Sequence, residues 1–537
     1  MFRLLLIALA LMCARLTFAQ QAWLVQFTDK AGVQFSPESY FSPKALERRS
    51  LQGLPLCDSS DFPVQNAYVE QVAPFADSLL HTSRWLNGVG VLTDAARVQQ
   101  IEQLACVRRV VPLHGQMQPA TSRIPKEDLD ALDRRDSLLL YWQTRRMQAD
   151  SLWERGLDGS GVRVCILDVG FKAANESPYL KQLFENEQII DTRNFVRKGK
   201  DVWRAHEHGT MVLSCIAGQY DDRWMGLAGK AEFLLGVTDG VLFEPLGDEL
   251  NWVAGLEWAD RNGADIVNSS LGYTFQRYFP EDMTGKKSVV AQACQFAARK
   301  GMLVVNAAGN EGTGEWKRLA TPGDADSALT VGGINPWTDI AEEFTSVGPS
   351  ADGRVKPEVV AYGTALVAGK NGITWASGTS FAAPLISGFM ACMKQHQPDL
   401  GPVEMIRVVS ECGHLWPYYD YIHGYGVPHA SRLFIDRERY KPAETFELDF
   451  SQEETSPTIS ENAEGRFKVM IDPEQPLKVV LLPKLEHPEL KTYIHYHIAQ
   501  PNGRLAYYAV LESDRETQEQ ILFEDNKYAE PGTRLRV

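Results

Sequence analysis

The stretch VRVCILDVG, residues 162–170, decides the fold class of this 537-residue chain. Residues 164–167 are apolar without alternation, which is typical of a strand buried on both faces of a parallel sheet. Asp168 closes this run, and open α/β sheets place their ligand sites at the carboxyl ends of strands. Strand and helix patterns alternate from residue 151 to about residue 434, so the sequence predicts a parallel sheet covered by helices on both faces.

Two later segments supply side chains that can work with Asp168. Residues 206–218, HEHGTMVLSCIAG, place His208 at the start of a helical pattern, and residues 378–384, GTSFAAP, place Ser380 at the start of another. Pro384 is therefore expected within the first turn of its helix. A serine hydroxyl becomes a nucleophile when an imidazole takes its proton and a carboxylate holds that imidazole. Asp168, His208 and Ser380 are the candidate catalytic triad.

A fourth segment supplies a candidate for stabilising the oxyanion. Residues 302–312, MLVVNAAGNEG, predict a buried strand that leads into Gly309 and Asn310. The Asn310 amide and the backbone N–H of Ser380 at its helix start are the candidate donors. Each of these residues has an ordinary alternative reading as a cap or a turn residue. Their common order and their flanking residues favour an active site.

The order Asp168, His208, Asn310 and Ser380, each in its own motif, resembles the subtilisin family of serine peptidases, the subtilases. Within that order the chain departs from the family pattern only at Met211 and Val169, and neither of these positions carries a proton in the mechanism. The chain is most similar to secreted Bacteroidetes subtilases with an N-terminal propeptide. Further similar segments are residues 263–272 (GADIVNSSLG), 344–363 and 424–428.

The resemblance implies a secreted serine endopeptidase that forms an acyl-enzyme intermediate and is made as a zymogen. Glu311 is expected near the rim of the cleft, where it either favours basic substrate side chains or simply faces solvent. Catalysis in this family needs no cofactor. Structural calcium occurs in the family, but no acidic loop in this chain predicts a calcium site. The expected substrate-binding residues are Ser270, Leu271, Gly272, Ala307, Ala308 and Gly309.

The first 19 residues predict a signal peptide. An apolar stretch, residues 4–12, follows Arg3, and small residues precede a cut before Gln20. The stretch is too short for a transmembrane helix, and no later run approaches the required length, so we expect export without a transmembrane anchor. The destination is the medium, the periplasm or the cell surface. Cys13 leaves a lipidated start open, although Met12 is a poor residue before a lipidated cysteine.

Four further regions follow the signal peptide. Residues 20–115 predict an α+β domain that resembles a subtilase propeptide and is expected to act as an intramolecular inhibitor, with a small structural domain as the alternative. Residues 116–150 predict a charged linker with possible processing sites at its arginines, and residues 151–436 predict the catalytic domain. Residues 440–537 predict an all-β, sandwich-like module that binds substrate, carries an export signal or braces the enzyme.

Composition and motif spacing narrow the range of functions that the chain can have. The hydrophobic share is 44% and the net charge is −15 without a long basic run, which argues against a general nucleic-acid binder. Two alternatives to a peptidase remain to be weighed. An inactive binding protein would be expected to have lost a triad residue, and all are present. A metallohydrolase using His206, Glu207 and His208 lacks a visible third ligand and the helical His-Glu-x-x-His spacing.

Overall fold

The structure, a computed structural model, describes residues 21–113, 116–119, 132–204, 206–240, 247–274, 278–369 and 372–435, and strand segments within residues 445–536. The predicted signal peptide and Cys13 lie outside the described residues. Within the described part of the chain, every helix is too short or too polar to cross a bilayer. The seven cysteines found there form no disulfide, and all except Cys57 are buried.

An antiparallel sheet with small helices forms the N-terminal region, as the sequence predicts. Four strands pair in the order β2-β3-β1-β4. Asp94 caps the helix that follows β3, because its carboxylate accepts hydrogen bonds from two backbone N–H groups of the first turn. The elements are β1 (Gln21–Phe27), α1 (Pro37–Tyr40), α2 (Pro43–Leu51), α3 (Asn66–Val72), β2 (Ser78–Ser83), β3 (Gly88–Thr93), α4 (Ala95–Ile101) and β4 (Val107–Leu113).

Between this region and the central sheet lie one short strand and two helices. The strand, β5 (Gln116–Pro119), pairs with a strand of the catalytic region. The helices, α5 (Arg134–Arg145) and α6 (Ala149–Trp153), fall within the predicted charged linker. Helix α5 buries Leu139 and Leu140 in the main core. The linker assignment and its processing sites stay predictions.

Seven parallel strands form the central sheet, in the order β15-β14-β13-β11-β6-β10-β7. The strand that ends in Asp168 lies inside this sheet, and all its residues except Arg163 are buried. This is the parallel sheet that the apolar run predicts. The strands are β6 (Arg163–Asp168), β7 (Ile189–Asn194), β10 (Glu232–Val237), β11 (Ile266–Ser269), β13 (Leu303–Ala307), β14 (Ala328–Ile334) and β15 (Val359–Tyr362).

Helices cover both faces of the sheet and bury one hydrophobic core on each. The first core includes α8 and α11, and the second includes α9 and α10, where Trp252 and Leu256 point inward. The helices are α7 (Lys181–Glu185), α8 (His208–Ala217), α9 (Asp248–Arg261), α10 (Val289–Arg299), α11 (Thr379–His396) and α12 (Pro402–Glu411). Short strands complete this region: β8 (Gln219–Tyr220), β9 (Arg223–Trp224), β12 (Leu271–Thr274), β16 (Thr364–Ala368) and β17 (Ile373–Ser377).

The described segments of the C-terminal part are β-strands and one turn between two of them. Two antiparallel sheets have the strand orders β18-β25-β22-β23 and β19-β20-β21-β24. A hairpin joins β22 to β23, and its Leu505 and Ala499 pack against Leu415 and Tyr418 of the catalytic region. The strands are β18 (Thr445–Glu447), β19 (Thr458–Glu461), β20 (Lys468–Asp472), β21 (Gln475–Leu481), β22 (Thr492–Ala499), β23 (Leu505–Ser513), β24 (Glu519–Leu522) and β25 (Arg534–Arg536).

Candidate active site

Asp168 and His208 form a buried hydrogen-bonded pair at the carboxyl end of β6. The Asp168 carboxylate oxygens lie 2.8 and 2.9 Å from Nδ1 of His208. The backbone N–H of Val169 donates a further hydrogen bond of 2.8 Å to Oδ1 of Asp168. A carboxylate in this position fixes the imidazole orientation and keeps the proton on Nδ1, so that Nε2 is left as the base.

His208 is the first residue of α8, as the sequence predicts, and Gly209 permits its placement. The backbone N–H of Gly209 donates to the Gly170 carbonyl at 2.8 Å, and a Cβ on Gly209 would lie 2.6 Å from that same oxygen. Any larger residue would push the helix away from the strand end that carries Asp168. Nε2 of His208 is buried and makes no hydrogen bond within the described part of the chain.

Ser380 is the second residue of α11. The ring of the next residue, Phe381, packs beside the His208 ring, with 5.9 Å between the ring centroids. Oγ of Ser380 donates a 3.3 Å hydrogen bond to the Ser270 carbonyl. The structure therefore packs the start of α11, which carries Ser380, against His208, and among the described residues Ser380 and Nε2 of His208 form no hydrogen bond. Such catalytic hydrogen bonds often tighten only when substrate is bound.

The expectation that Pro384 lies in the first turn is wrong. Helix α11 begins at Thr379, so Pro384 is its sixth residue and lies inside the helix. A proline there removes the hydrogen bond to the carbonyl four residues earlier, which belongs to Ser380. Oγ of Ser270 donates to that carbonyl at 2.9 Å instead. The proline is tolerated because a side chain from the neighbouring segment satisfies the orphaned acceptor.

The hydroxyl of Ser270 is itself held by a chain of buried side chains. Nδ2 of Asn268 donates to Ser270 Oγ at 3.2 Å, and Oγ of Ser387 donates to Asn268 Oδ1 at 2.8 Å. Asn268 and Ser387 thus hold the Ser270 hydroxyl that meets the Ser380 carbonyl, and the sequence patterns did not point to either residue. The available signal was the proline, because an internal proline implies a carbonyl that needs another donor.

Asn310 presents an unused amide at the same place. Its Oδ1 accepts from the backbone N–H of Thr379 at 3.0 Å and from the Thr379 hydroxyl at 3.1 Å. These bonds orient the side chain and leave Nδ2 buried without a hydrogen-bond partner in the described residues. A donor held in this way beside Ser380 is suited to a developing oxyanion.

The predicted substrate-binding residues follow two adjacent strands of the sheet. Ser270, Leu271 and Gly272 come after β11, and Ala307, Ala308 and Gly309 close β13 and follow it. Strand β5 pairs antiparallel with β12, so that Gln118 faces Gly272 and Pro119 faces Leu271. Glu311 is half-buried at the end of this segment, which leaves both readings of its role open.

A second buried carboxylate, Asp239, contacts β12 through the side chain of Tyr273. It follows β10, and the hydroxyls of Tyr273 and Thr238 donate to its two oxygens. Burial raises the pKa of Asp239 to about 7, and the negative charge of Asp168 adds to the shift. A carboxyl that takes up a proton near neutral pH limits the negative charge collected beside Asp168.

The metal-dependent alternative receives no support from the side chains. Among the described residues, no group of three or more His, Cys, Asp or Glu side chains is arranged to hold a metal ion. Nδ1 of His206 accepts the backbone N–H of His208 at 3.1 Å, and burial lowers the pKa of His206. This ring is used as a helix-start acceptor.

A parallel sheet with an aspartate-bound histidine and a serine at a helix start is typical of a serine hydrolase of α/β type. Residues 159–411 match the sequence profile of the Subtilase family, and residues 22–127 match that of the Peptidase S8 propeptide domain of Bacteroidota. The chain belongs to the subtilase family and is a serine endopeptidase with a propeptide region.

Relatives of known function support the same assignment. An alkaline protease of Alkalihalobacillus alcalophilus is 30% identical over 297 residues, which are 54% of this chain and 68% of the relative. Subtilisin Savinase of Lederbergia lenta is 30% identical over 271 residues, 49% of this chain and 87% of the relative. The M-protease of Shouchella clausii is 30% identical over 341 residues, 59% of this chain and 78% of the relative.

Proposed function

We propose that this chain is a secreted endopeptidase in which Ser380 is the nucleophile, His208 the general base and Asp168 the residue that orients the base. The hydrogen bond between Asp168 and Nδ1 of His208 carries the proposal, because it leaves Nε2 as the proton acceptor. His208 takes the Ser380 proton during attack on a peptide carbonyl and returns it to the leaving amine. Asn310 Nδ2 and the Ser380 backbone N–H bind the oxyanion of each tetrahedral intermediate.

The chain is made as a zymogen in this proposal, with residues 20–115 as the inhibitory domain. The antiparallel pairing of β5 with β12 supports it, because a peptide substrate is expected to pair with the same backbone. The burial of Asp168, His208 and Ser380 in the full chain also agrees with a covered cleft.

Polar contacts between the propeptide region and α9 support a tight association. The carboxylate of Glu257 accepts hydrogen bonds from the Ser83 hydroxyl at 2.6 Å and from the backbone N–H groups of Arg84 and Trp85 at 3.1 Å each. Glu257 belongs to α9 and is buried by this contact, which raises its pKa. Such charge-assisted bonds to backbone donors are among the stronger polar contacts in proteins.

Buried ion pairs complete this interface. Asp260 of α9 pairs with Arg48 and with Arg49 of the propeptide region, and Lys300 pairs with Asp61 at 2.9 Å. The side chains of all five residues are at most 2% exposed. Each charge therefore depends on its partner across the interface, because water does not reach it.

The whole chain and its Ser380→Ala variant test the triad. We expect the unmodified chain to release a propeptide fragment, to cleave casein and to react with a fluorophosphonate probe in the presence of a chelator. The Ser380→Ala chain is expected to remain intact and unlabelled. Equal processing of the two chains would show that another protease matures the enzyme, and casein cleavage by Ser380→Ala would remove Ser380 from the mechanism.

Export and the C-terminal module form the remaining part of the proposal. Residues 1–19 direct export, and residues 440–537 brace the catalytic domain through the contact of Leu505 with Leu415 and Tyr418. Fractionation of cells that express the chain with and without residues 1–19 tests the first point. Retention of the full-length chain inside the cell would contradict it.

A further inference from the structure

The predicted substrate-binding residues form two backbone segments, residues 270–272 (the first wall of the cleft) and residues 307–309 (the second wall), which face each other across one methyl group. A Cβ built on Gly272 would lie 2.5 Å from Cβ of Ala320, and one built on Gly309 would lie 3.5 Å from the same atom. Carbon atoms in contact are about 3.5–4.0 Å apart. The Ala320 methyl group therefore fills the gap between the backbones of the two walls, and only glycine fits at position 272.

Ala320 cannot easily move out of this gap. Its backbone N–H donates to the Ala308 carbonyl at 3.2 Å, within the second wall. The next residue, Thr321, exchanges two backbone hydrogen bonds of 2.8 and 3.2 Å with Tyr273, the residue that follows the first wall. Ala320 is also buried, so displacement would break contacts with both walls.

The direction of a bound substrate follows from the pairing of β12. Gln118 faces Gly272 in this register, so a strand docked here runs antiparallel to the first wall. Side chains two residues apart lie on the same face of an extended strand. Ser270 and Gly272 therefore share one face of the first wall, and a Cβ on Gly272 would point to Ala320 on that face. A substrate residue opposite Ser270 directs its side chain to the same face, toward Ala320. The carbonyl of that substrate residue lies beside Ser380, whose Oγ is 3.3 Å from the Ser270 carbonyl.

We propose that Ala320 limits the substrate residue on the acyl side of the cleaved bond to a small side chain, namely glycine, alanine or serine. The inference rests on the triad of the proposed function and on the two predicted substrate-binding walls. A pocket closed by a fixed methyl group must be pushed open by a larger side chain. One methylene too many or too few in an apolar pocket changes kcat/KM by about 10- to 200-fold.

Peptide p-nitroanilides of the sequence Ala-Ala-Pro-Xaa test the preference with the mature form of the full chain. We expect kcat/KM for Xaa = Ala to exceed that for Leu and Phe by about tenfold or more. Cleavage sites in denatured casein, identified by mass spectrometry, should follow glycine, alanine and serine. An equal or higher kcat/KM for Leu or Phe would overturn the inference. Complete inactivity toward casein and all peptides would instead contradict the proposed triad.

Substitution of Ala320 separates its role from the rest of the cleft. Ala320→Gly removes the methyl group, and the ratio of kcat/KM for Ala over Phe is expected to fall about tenfold or more. Ala361→Gly in β15 is the matched control, because that alanine is equally buried and is expected to leave the ratio unchanged. Ala320→Ser enlarges the side chain and is expected to lower kcat/KM for Xaa = Ala relative to Gly. An active Ala320→Gly enzyme with an unchanged ratio would refute the assignment.

Discussion

Replacement of Arg49 by methionine is the sharpest test of the proposed propeptide interface. The guanidinium donates to both oxygens of Asp61, at 2.9 and 3.1 Å, and to Asp260 at 2.8 Å. It also lies over the Phe41 ring at 4.2 Å, and the side chain is 1% exposed. Methionine keeps most of the side-chain volume and removes the charge. The loss of stability at the interface therefore reports the missing ion pairs rather than a cavity.

The expected magnitude follows from what remains after the substitution. Removing one partner of a buried ion pair costs about 3–5 kcal/mol. Asp61 keeps Lys300 and Asp260 keeps Arg48, so neither carboxylate becomes fully unpaired. We therefore expect Arg49→Met to lower the stability of the interface by about 3 kcal/mol, near the lower end of this range. That change raises the equilibrium constant for opening of the propeptide region about a hundredfold.

Hydrogen exchange measured by mass spectrometry reads this equilibrium in the full chain. The Ser380→Ala background prevents self-cleavage, and peptides that contain β1 and β3 are expected to exchange about a hundredfold faster in Arg49→Met. The control is Arg97→Met, because the ion pairs of Arg97 with Asp77 and Asp94 lie at the surface and such pairs contribute little to stability. Exchange within fivefold of the parent, or equal acceleration in the central sheet, would refute the reasoning.

Further predictions concern catalysis, maturation and pH. Asn310→Ala should lower kcat by about 10²- to 10³-fold with little change in KM, a figure borrowed from the loss of one oxyanion donor in subtilisin. Asn268→Ala should lower kcat more than it raises KM, and Asn268→Asp should not restore it, because the donor to Ser270 is lost. Because β5 pairs with β12 as far as Pro119, we expect the propeptide to be cut within a few residues after β5, and N-terminal sequencing of the mature enzyme should find its first residue there. Ion pairing with Lys300 lowers the pKa of Asp58 to about 2 despite its partial burial, so this contact should weaken as pH falls from about 4 toward 2, seen as faster exchange in β1.

Much of the fold could be predicted from the sequence because its signals are local. The apolar run before Asp168, the helical pattern after His208 and the Asn502-Gly503 turn each depend on neighbouring residues alone, and each element is present. Pro384 shows where local reasoning stops. The rule that a proline belongs in the first turn assumes that no other donor reaches the freed carbonyl, and here Ser270, 110 residues earlier, supplies one.

The contacts that hold the propeptide region and shape the cleft could not be predicted from neighbouring residues, because their partners are distant in the sequence. Arg48 and Arg49 read as an ordinary basic pair at the end of a helix, and nothing near them predicts Asp260 as a partner more than 200 residues later. Ala320 has no signal of its own, since its importance comes from two glycines on different strands. Non-local pairs of this kind need the fold before they can be seen.

The position of these contacts has a consequence for activation. Cleavage after β5 would break one covalent bond but none of the bonds that Glu257, Asp260 and Lys300 make with the propeptide region. We therefore expect the cut propeptide to stay bound in the cleft and to keep the enzyme inhibited until the propeptide unfolds or is degraded. We expect a lag between the appearance of the cut chain on a gel and the appearance of casein cleavage. Arg49→Met should shorten this lag, whereas simultaneous cutting and activity in the unmodified chain would contradict the argument.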